Sequence, residues 1–316
     1  MKIYVTFAIC TLLHVTSMYP QKLDDVGRWA AVAGYEIRVF PDGEKDPLAG
    51  PGIVYHRAGN IDLKLDVFTP GPETEVRPTV IYFHGGGWVH LRKEERAFYL
   101  LPYLARGMNA VNVEYRLANA APAPAAVEDA RCALHWVSLH AKQYGFDVKR
   151  LVVMGESAGA HLALMSGLLT ANDGFDNACA WSLKSAPVNI AAIVNYFGPT
   201  DLADLLHSSA PPPWLIEWLG HGSNREDLAK LVSPLTYVRK GSPPTITIHG
   251  TNDGAVPYSQ GVRLHKALDT VDVPNRLMTI QGGGHGQRNF SREENIRAQE
   301  AIFKFIQDHG VLKSDR

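Results

Sequence analysis

The sequence has few cysteines, no long apolar run and almost no net charge. Three of its 316 residues are cysteines, and 31 basic side chains nearly balance 32 acidic ones, for a formal net charge of −1. This balance gives no electrostatic reason to expect a nucleic-acid partner. No apolar run reaches the roughly 20 residues that a membrane-spanning helix needs. With 46% hydrophobic residues, the chain has the composition of a folded globular protein.

The first eighteen residues, Met1 to Met18, differ from the rest of the chain. Lys2 is their only charge, and the stretch from Ile3 to Val15 is mostly apolar. This pattern resembles a signal peptide without an A-x-A cleavage motif; the alternative is an N-terminal strand or helix of the mature fold. We therefore predict a secreted or periplasmic protein, with a cytoplasmic location as the alternative.

The three cysteines do not decide the compartment. Cys10 lies within the signal-like segment, which leaves Cys132 and Cys179 for the folded protein. Cys132 falls in a helical pattern, where a small buried thiol is the simpler interpretation. A Cys132–Cys179 disulfide would need an oxidising compartment, and the sequence leaves this pairing open.

Strand-like and helix-like segments alternate along the chain. Residues 54–69 predict a hairpin, and the apolar strands TVIYF, AVNVEY, RLVVMGES, AAIVNYF, PTITIHG and NRLMTI follow it. Helical patterns separate these strands, at about residues 94–106, 125–144, 158–169, 258–268 and 293–309. This order predicts an α/β fold with a mostly parallel central sheet, helices on both faces and the hairpin at one edge.

The stretch from about Leu202 to Gly241 interrupts this alternation. It is longer than a simple crossover, and it contains APPPWLIEWLG and a short helical pattern near residues 225–232. Because its apolar side chains would lie near the carboxyl ends of the strands, where ligands bind in such sheets, we predict a small lid. The alternative is an irregular insertion packed on the domain.

The motif GESAG, Gly155 to Gly159, follows an apolar strand and precedes a helix. A serine on so sharp a turn takes strained backbone angles, and flanking glycines avoid collisions with neighbouring backbone. The helix N-terminus also favours a developing negative charge. Ser157 is therefore our candidate nucleophile; the alternative is a helix-capping serine among packing glycines.

The motif HGGGW, His84 to Trp88, directly follows the strand TVIYF. Consecutive glycines leave backbone N–H groups uncovered, and two of them together with that of Ala158 can hold the oxygen of a tetrahedral intermediate. A phosphate loop is excluded because neither G-x-G-x-x-G nor a GK[ST] ending is present. We predict that His84 braces this loop by hydrogen bonding.

A nucleophilic serine needs a base, and the base needs an orienting carboxylate. Among 13 histidines, position selects His285, which stands in GGGHG after the last predicted strand. Asp253 stands in HGTND after the preceding strand, so both side chains and Ser157 follow strand ends that meet at one edge of the sheet. Asp201, in GPTD, is the rival to Asp253.

Other polar residues have simpler structural interpretations. His161 would pack under the serine turn, and His135, His140 and Asp129 belong to an amphipathic helix. No metal site is expected, because no H-E-x-x-H and no Cys/His pair at ligand spacing occurs. The chemistry of an activated serine requires no cofactor.

The motifs HGGGW, GESAG, HGTND and GGGHG, in this order and spacing, resemble the HGGG-type esterases and lipases of the α/β-hydrolase fold. The likeness covers about residues 52–310 and points to enzymes related to hormone-sensitive lipase and to feruloyl-esterase-like enzymes. It implies one α/β-hydrolase domain over residues 21–316. It also implies Ser157 as nucleophile, Asp253 and His285 as its partners, and Gly86, Gly87 and Ala158 as oxyanion donors.

The chain departs from the hormone-sensitive-lipase branch, which usually carries GDSAG and a longer helical cap. The short, Gly/Pro-interrupted segment from Gln21 to Gly50 favours the feruloyl- or acetylxylan-esterase-like branch instead. We therefore expect a serine hydrolase of small-molecule carboxylic esters with short acyl, aryl or carbohydrate groups. Three tryptophans would line its pocket or pack in the core: Trp88, Trp214 and Trp218.

Three alternative functions stay open. GAHLA after the serine is also similar to kynurenine formamidases, which implies arylformamidase-like amide hydrolysis. A peptidase or a non-catalytic binding protein could use the same scaffold.

Overall fold

The computed structural model describes residues 52–70, 75–179 and 188–313. One eight-stranded sheet runs through them in the order β1-β2-β4-β3-β5-β6-β7-β8. Its strands are β1 (Ile53–Ala58), β2 (Ile61–Phe68), β3 (Arg77–Phe83), β4 (Asn109–Val113), β5 (Phe146–Glu156), β6 (Ile190–Tyr196), β7 (Thr245–Gly250) and β8 (Asn275–Ile280). Strands β1 and β2 form an antiparallel hairpin, and β2 is also antiparallel to β4. All the other neighbouring pairs in the sheet, from β4-β3 to β7-β8, are parallel. The predicted sheet and its antiparallel edge are confirmed.

Nine α-helices lie among the described residues. They are α1 (Leu101–Ala105), α2 (Ala125–Leu139), α3 (Ala141–Tyr144), α4 (Ala158–Leu168), α5 (Leu202–Leu206), α6 (Pro213–Leu219), α7 (Arg225–Leu231), α8 (Ser259–Thr270) and α9 (Arg292–Asp308). Short 3-10 helices occur at Lys93–Leu100, Ala171–Asp173, Phe175–Ala178, Pro234–Tyr237 and Gln287–Asn289.

The central strands are apolar throughout because both faces of the sheet are covered. In β3, Ile81 and Phe83 join the hydrophobic core that contains α2, α4 and α8. Their neighbours Val80 and Tyr82 join the core on the opposite face, with α1 and α9. Strand side chains alternate between faces, so a continuous apolar run serves two cores at once.

Two predicted helices are divided in the structure. The helix expected at about 94–106 is a 3-10 helix, Lys93–Leu100, followed by α1, which has Pro102 near its start. Proline lacks the N–H that a continuous α-helix would need there. The helix expected at 125–144 ends at Leu139, where His140 donates from both its backbone N–H and its Nδ1 to the Trp136 carbonyl, and α3 follows.

The stretch 202–241 is more helical than its sequence suggested. It contains α5, α6, α7 and the 3-10 helix Pro234–Tyr237, of which only the region of α7 was predicted. Leu215 and Trp218 of α6 are fully buried in the core that also holds Trp88. Its role as a lid stays a prediction.

A disulfide joins Cys132 of α2 to Cys179, which directly follows the 3-10 helix Phe175–Ala178. Arg131 stands next to it in α2 and forms two hydrogen bonds to the Asp176 carboxylate, at 2.7 and 2.8 Å. The pairing that the sequence left open is thus present in the fold. The interpretation of Cys132 as a lone buried thiol was wrong.

The signal-peptide prediction for residues 1–18 and the segment Gln21 to Gly50 lie outside the described residues. Within the described ranges, no helix is both long and apolar enough to span a bilayer.

Candidate active site

The carboxyl ends of four parallel strands carry the motifs that the sequence singled out. His84 follows β3, Ser157 follows β5, Asp253 comes three residues after β7, and His285 comes five residues after β8. These strands are neighbours or near neighbours in one sheet, so their loops meet at the same edge.

Ser157, His285 and Asp253 form a hydrogen-bonded row. His285 Nε2 lies 3.0 Å from Ser157 Oγ, and His285 Nδ1 lies 2.8 Å from Asp253 Oδ2. The imidazole therefore bridges a hydroxyl and a carboxylate, an arrangement that can take the hydroxyl proton and stabilise the resulting cation.

Ser157 occupies a strained turn between β5 and α4. Its φ is +53° and its ψ is −121°, outside the regions that L residues usually adopt. Gly159 makes this turn possible, because a Cβ there would lie 2.0 Å from the Phe83 carbonyl oxygen of β3. The turn is therefore pressed directly against the neighbouring strand.

Asp253 is fixed by its own loop as well as by His285. Its Oδ1 accepts the backbone N–H groups of Ala255 at 2.9 Å and Val256 at 2.8 Å. Burial raises the pKa of this carboxyl, but hydrogen bonds from His249 and His285 outweigh burial and hold the pKa well below its usual range. Asp253 is therefore an anion when His285 is beside it at neutral pH.

The glycine loop after β3 adopts a shape that other residues would block. Gly86 has φ +109°, and a Cβ on it would lie 2.1 Å from the His90 carbonyl oxygen. Within the described residues, the backbone N–H groups of Gly86, Gly87 and Ala158 donate to no acceptor. These three groups remain able to bind an oxygen atom of a ligand.

His84 braces this loop, as predicted. Its Nδ1 lies 2.8 Å from the Gly85 carbonyl oxygen, and the Tyr115 hydroxyl donates to the His84 carbonyl at 2.8 Å. Burial lowers the pKa of His84 to about 4, so the ring is neutral at pH 7.

A cavity of about 410 Å³ opens above Ser157 and His285. Its walls include Gly86, Gly87 and several large apolar side chains, which are Leu91, Phe98, Phe197, Trp214 and Phe290. The volume and the mixture of apolar walls with a few polar groups are typical of small-molecule sites.

The family comparison agrees with this geometry. The family model BD-FAE matches residues 65–268, which include β3, the serine turn and the Asp253 loop. The chain belongs to the BD-FAE family.

Curated relatives of this BD-FAE chain include two proteins of Mycobacterium tuberculosis (strain ATCC 25618 / H37Rv). Esterase LipC is 27% identical over 221 residues, and Esterase LipQ is 32% identical over 197 residues. These matches cover 67% and 60% of this chain. The chain spans about half the length of these relatives, 54% of LipC and 45% of LipQ.

A solved structure also resembles the BD-FAE chain over most of its length. The thermophilic esterase Est2 from Thermogutta terrifontis, in its propionate-bound form, superposes with a TM-score of 0.72 at 26% identity. The match covers 86% of this chain and 98% of Est2. The predicted α/β-hydrolase fold is confirmed.

Two of the three tryptophans assigned to the pocket lie elsewhere. Trp88 and Trp218 are 0% exposed and stack on each other with ring centroids 3.9 Å apart. Trp214 alone of the three lines the cavity in the described structure. The pocket prediction was wrong for Trp88 and Trp218, because both rings turn into the core beneath the glycine loop.

The competing polar residues have other partners in this BD-FAE chain. Asp201 accepts the Asp204 N–H at 3.1 Å and pairs with Arg263 at 2.8 Å. His161 is buried with Nε2 2.6 Å from the Val232 carbonyl. Asp129 pairs with Arg116 at 2.7 Å.

Several polar residues of the cavity wall were not predicted from the sequence. Arg96 stands beside Glu156 at 3.2 Å, and Arg288, Arg292 and Asn295 line the side that follows His285. Their only sequence signal is that they lie within about ten residues of the glycine-rich motifs. Among the described residues, no group of three or more His, Cys, Asp or Glu side chains could hold a metal ion.

Proposed function

We propose that this protein is a serine hydrolase that cleaves small carboxylic esters through an acyl-enzyme intermediate. The observation that carries the proposal is the row Ser157–His285–Asp253, with contacts of 3.0 and 2.8 Å, at the base of an apolar cavity. Membership of the BD-FAE family and the esterase names of its relatives support the same activity.

In this mechanism Ser157 Oγ attacks the ester carbonyl carbon while His285 Nε2 takes the hydroxyl proton. Asp253 stabilises the imidazolium and holds Nδ1 protonated. The tetrahedral intermediate collapses, and His285 gives its proton to the departing alcohol. A water molecule then attacks the acyl-enzyme with His285 as base, which releases the acid and restores the serine hydroxyl.

The backbone N–H groups of Gly86, Gly87 and Ala158 are the proposed oxyanion hole. They have no acceptor among the described residues, and Gly86 and Gly87 line the cavity beside Ser157. Such preorganised donors stabilise the oxyanion more than the neutral carbonyl, which is how they lower the barrier.

We propose short acyl groups as the preferred substrates. Trp214 restricts the cavity, and the Thermogutta terrifontis esterase has been solved with propionate and with butyrate bound. Aryl and carbohydrate esters of short acids belong to the same proposal.

We also propose an oxidising compartment, either secreted or periplasmic. The Cys132–Cys179 disulfide supports it, since such bonds are rare in a reducing cytosol.

The test of the activity compares wild type with Ser157→Ala on p-nitrophenyl acetate. We expect Ser157→Ala to lower kcat/KM by at least about 1,000-fold. Ser166→Ala is the control, because Ser166 also belongs to the segment that follows β5 but is buried away from the cavity, and its hydroxyl has no hydrogen-bond partner in the described structure. Equal rates for wild type and Ser157→Ala would overturn the proposal, and a fluorophosphonate probe should label wild type alone of these two.

Chain-length preference is tested with p-nitrophenyl esters from about C2 to C16. A maximum of kcat/KM at or below about C6 is expected from the small cavity. A preference for C12 or longer would contradict the short-acyl proposal while leaving the serine mechanism intact.

A further inference from the structure

Two histidines contact the carboxylate of Asp253. His285 Nδ1 lies 2.8 Å from Asp253 Oδ2, and His249 Nε2 lies 3.4 Å from the same oxygen. The side chains of His249 and Asp253 are both fully buried. His249 belongs to β7 and stands four residues before Asp253, so the strand places it directly beneath the Asp253 loop.

The surroundings of His249 define where its proton lies. Nε2 faces two oxygen acceptors, the Val256 carbonyl at 2.9 Å and Asp253 Oδ2, so Nε2 carries the proton. Nδ1 has no hydrogen-bond partner among the described residues. It faces Gly261 of α8, where a Cβ would lie 3.0 Å away. The Nε2–H of His249 is thus directed at the Asp253 loop.

Val256 closes a ring of hydrogen bonds around the carboxylate. Its N–H donates to Asp253 Oδ1 at 2.8 Å, and its carbonyl accepts the His249 N–H. Asp253 therefore cannot turn about its side-chain bond without loosening contacts on both oxygens. Such a turn would also remove Oδ2 from its alignment with His285 Nδ1.

We propose that His249 is a positioning residue for the reaction. Its Nε2–H locks the Asp253 loop so that Oδ2 stays directed at His285. This inference rests on the proposed hydrolase function of the Ser157 row. The competing explanation is a buried histidine that only fills the end of β7, which would affect stability and not the state of His285.

Two amide substitutions separate these explanations. A glutamine amide nitrogen reaches the place of Nε2, whereas an asparagine amide nitrogen reaches only the place of Nδ1. We expect His249→Asn to lower kcat on p-nitrophenyl acetate by about 10-fold with KM nearly unchanged. His249→Gln should recover most of that loss.

Proton NMR supplies a readout that does not need turnover. The His285 Nδ1–H, hydrogen-bonded to a buried carboxylate, should give a low-field resonance in wild type and in His249→Gln. In His249→Asn it should shift or broaden. Absence of hydrolysis by wild type would sink the proposed function, while this resonance would still report on the His249–Asp253–His285 arrangement.

A folded His249→Asn with wild-type kcat and an unchanged resonance would overturn the inference, even if its Tm were lower. Should His249→Asn fail to fold, Gly261→Ala tests the same ring from the side of α8. Its added Cβ crowds Nδ1, and we expect a shifted resonance with a kcat loss of about 3-fold. A resonance and a kcat that stay at wild-type values in Gly261→Ala would also count against the role of His249.

Discussion

At the scale of single residues, Ser157 has a strained backbone conformation that its neighbours hold in place. Ser157 keeps φ at +53°, and a Cβ on Gly155 would lie 2.2 Å from the carbonyl carbon of Gly159. Two glycines thus let the two sides of the turn touch, and buried strands on either side keep it closed. A strained residue of this kind persists only where the surrounding structure defines its position.

Gly159→Ala tests this account of the turn. The new Cβ would meet the Phe83 carbonyl oxygen at 2.0 Å, and a strand backbone cannot move aside easily. We expect a loss of about 3 kcal/mol in the free energy of unfolding and a large fall in the rate of p-nitrophenyl acetate hydrolysis. Urea denaturation and initial rates measure the two effects.

Gly254→Ala is the control for that substitution, because a Cβ there meets nothing within 4 Å. Its free energy of unfolding should stay within about 0.5 kcal/mol of wild type. Similar stabilities for Gly159→Ala and Gly254→Ala would show that the turn can accommodate a Cβ at Gly159.

At the scale of elements, α6 presents two tryptophans to two environments. Trp218 stacks on Trp88 in the core, at 3.9 Å between ring centroids. Trp214, one turn earlier, lines the cavity, and its Cβ would lie 2.9 Å from a Cβ built on Gly87. One helix therefore anchors the glycine loop from below and limits the cavity from the side.

Substitution of the two tryptophans by alanine should affect two different properties, the chain-length preference for Trp214 and the stability of the fold for Trp218. Trp214→Ala enlarges the cavity, and we expect the ratio of kcat/KM for octanoate over acetate esters to rise about 10-fold. Trp218→Ala should lower the free energy of unfolding by about 3–5 kcal/mol, because it empties a fully buried site. If Trp214→Ala left the chain-length preference unchanged, Trp214 would not be a wall of the acyl pocket.

The disulfide ties α2 to the segment that ends at Cys179, across 47 residues of sequence. By chain entropy, closing a loop of that length stabilises the fold by about 4 kcal/mol at most. The double variant Cys132→Ala, Cys179→Ala should therefore have a lower Tm by thermal denaturation and nearly wild-type activity. When the purified protein is denatured without reductant and alkylated, mass spectrometry should find Cys132 and Cys179 unmodified. Alkylation of both Cys132 and Cys179 would contradict the disulfide.

At the scale of the whole molecule, one sheet separates two hydrophobic cores and brings four loops to one edge. Ion pairs connect segments outside the sheet to the helices that cover it. Asp176, in the 3-10 helix Phe175–Ala178, is buried between Arg131 at 2.7 Å and His135 at 3.1 Å. Burial raises the pKa of Asp176, but the hydrogen bonds of His135 and Arg131 outweigh it and hold the pKa well below its usual range.

This lowered pKa predicts how stability depends on acid. The unfolded carboxyl has a pKa of 3.8, so the unfolded chain binds the proton first as the pH falls. The contribution of Asp176 is therefore complete at pH 7 and is lost as the pH drops below about 4 toward the folded pKa. Asp253 contributes with the same sign.

Asp176→Asn should lower the free energy of unfolding by about 3 kcal/mol at pH 7, since it leaves Arg131 buried without its anion. The variant should also lose less further stability between pH 5 and pH 3 than wild type does, measured by urea denaturation. Asp62→Asn, at an exposed pair with Arg57, should change the pH dependence less because solvent screens that pair. An identical pH slope for wild type and Asp176→Asn would refute this explanation.

Local patterns were enough to predict the sheet and the candidate residues of the site. Apolar runs mark strands buried on two faces, and Ser157, Asp253 and His285 each follow such a strand, so parallel strands carry them to one edge. The partition of the tryptophans, in contrast, depends on which neighbour each ring meets in the folded chain. Trp88 and Trp214 look alike in the sequence, yet one is buried beneath the glycine loop and the other faces the cavity.

The same distinction applies to two sets of contacts that only the folded chain reveals, the disulfide and the contacts of His249. Nothing in the spacing of Cys132 and Cys179 selects their pairing, which arises because α2 and a distant 3-10 helix lie side by side. In the sequence, His249 is one residue of a predicted strand. Its N–H lies near two acceptors, the Val256 carbonyl and Asp253 Oδ2, only because the following loop folds back over β7. Periodicity records the local environment of a residue, whereas contacts between distant segments form only when the whole sheet closes around them.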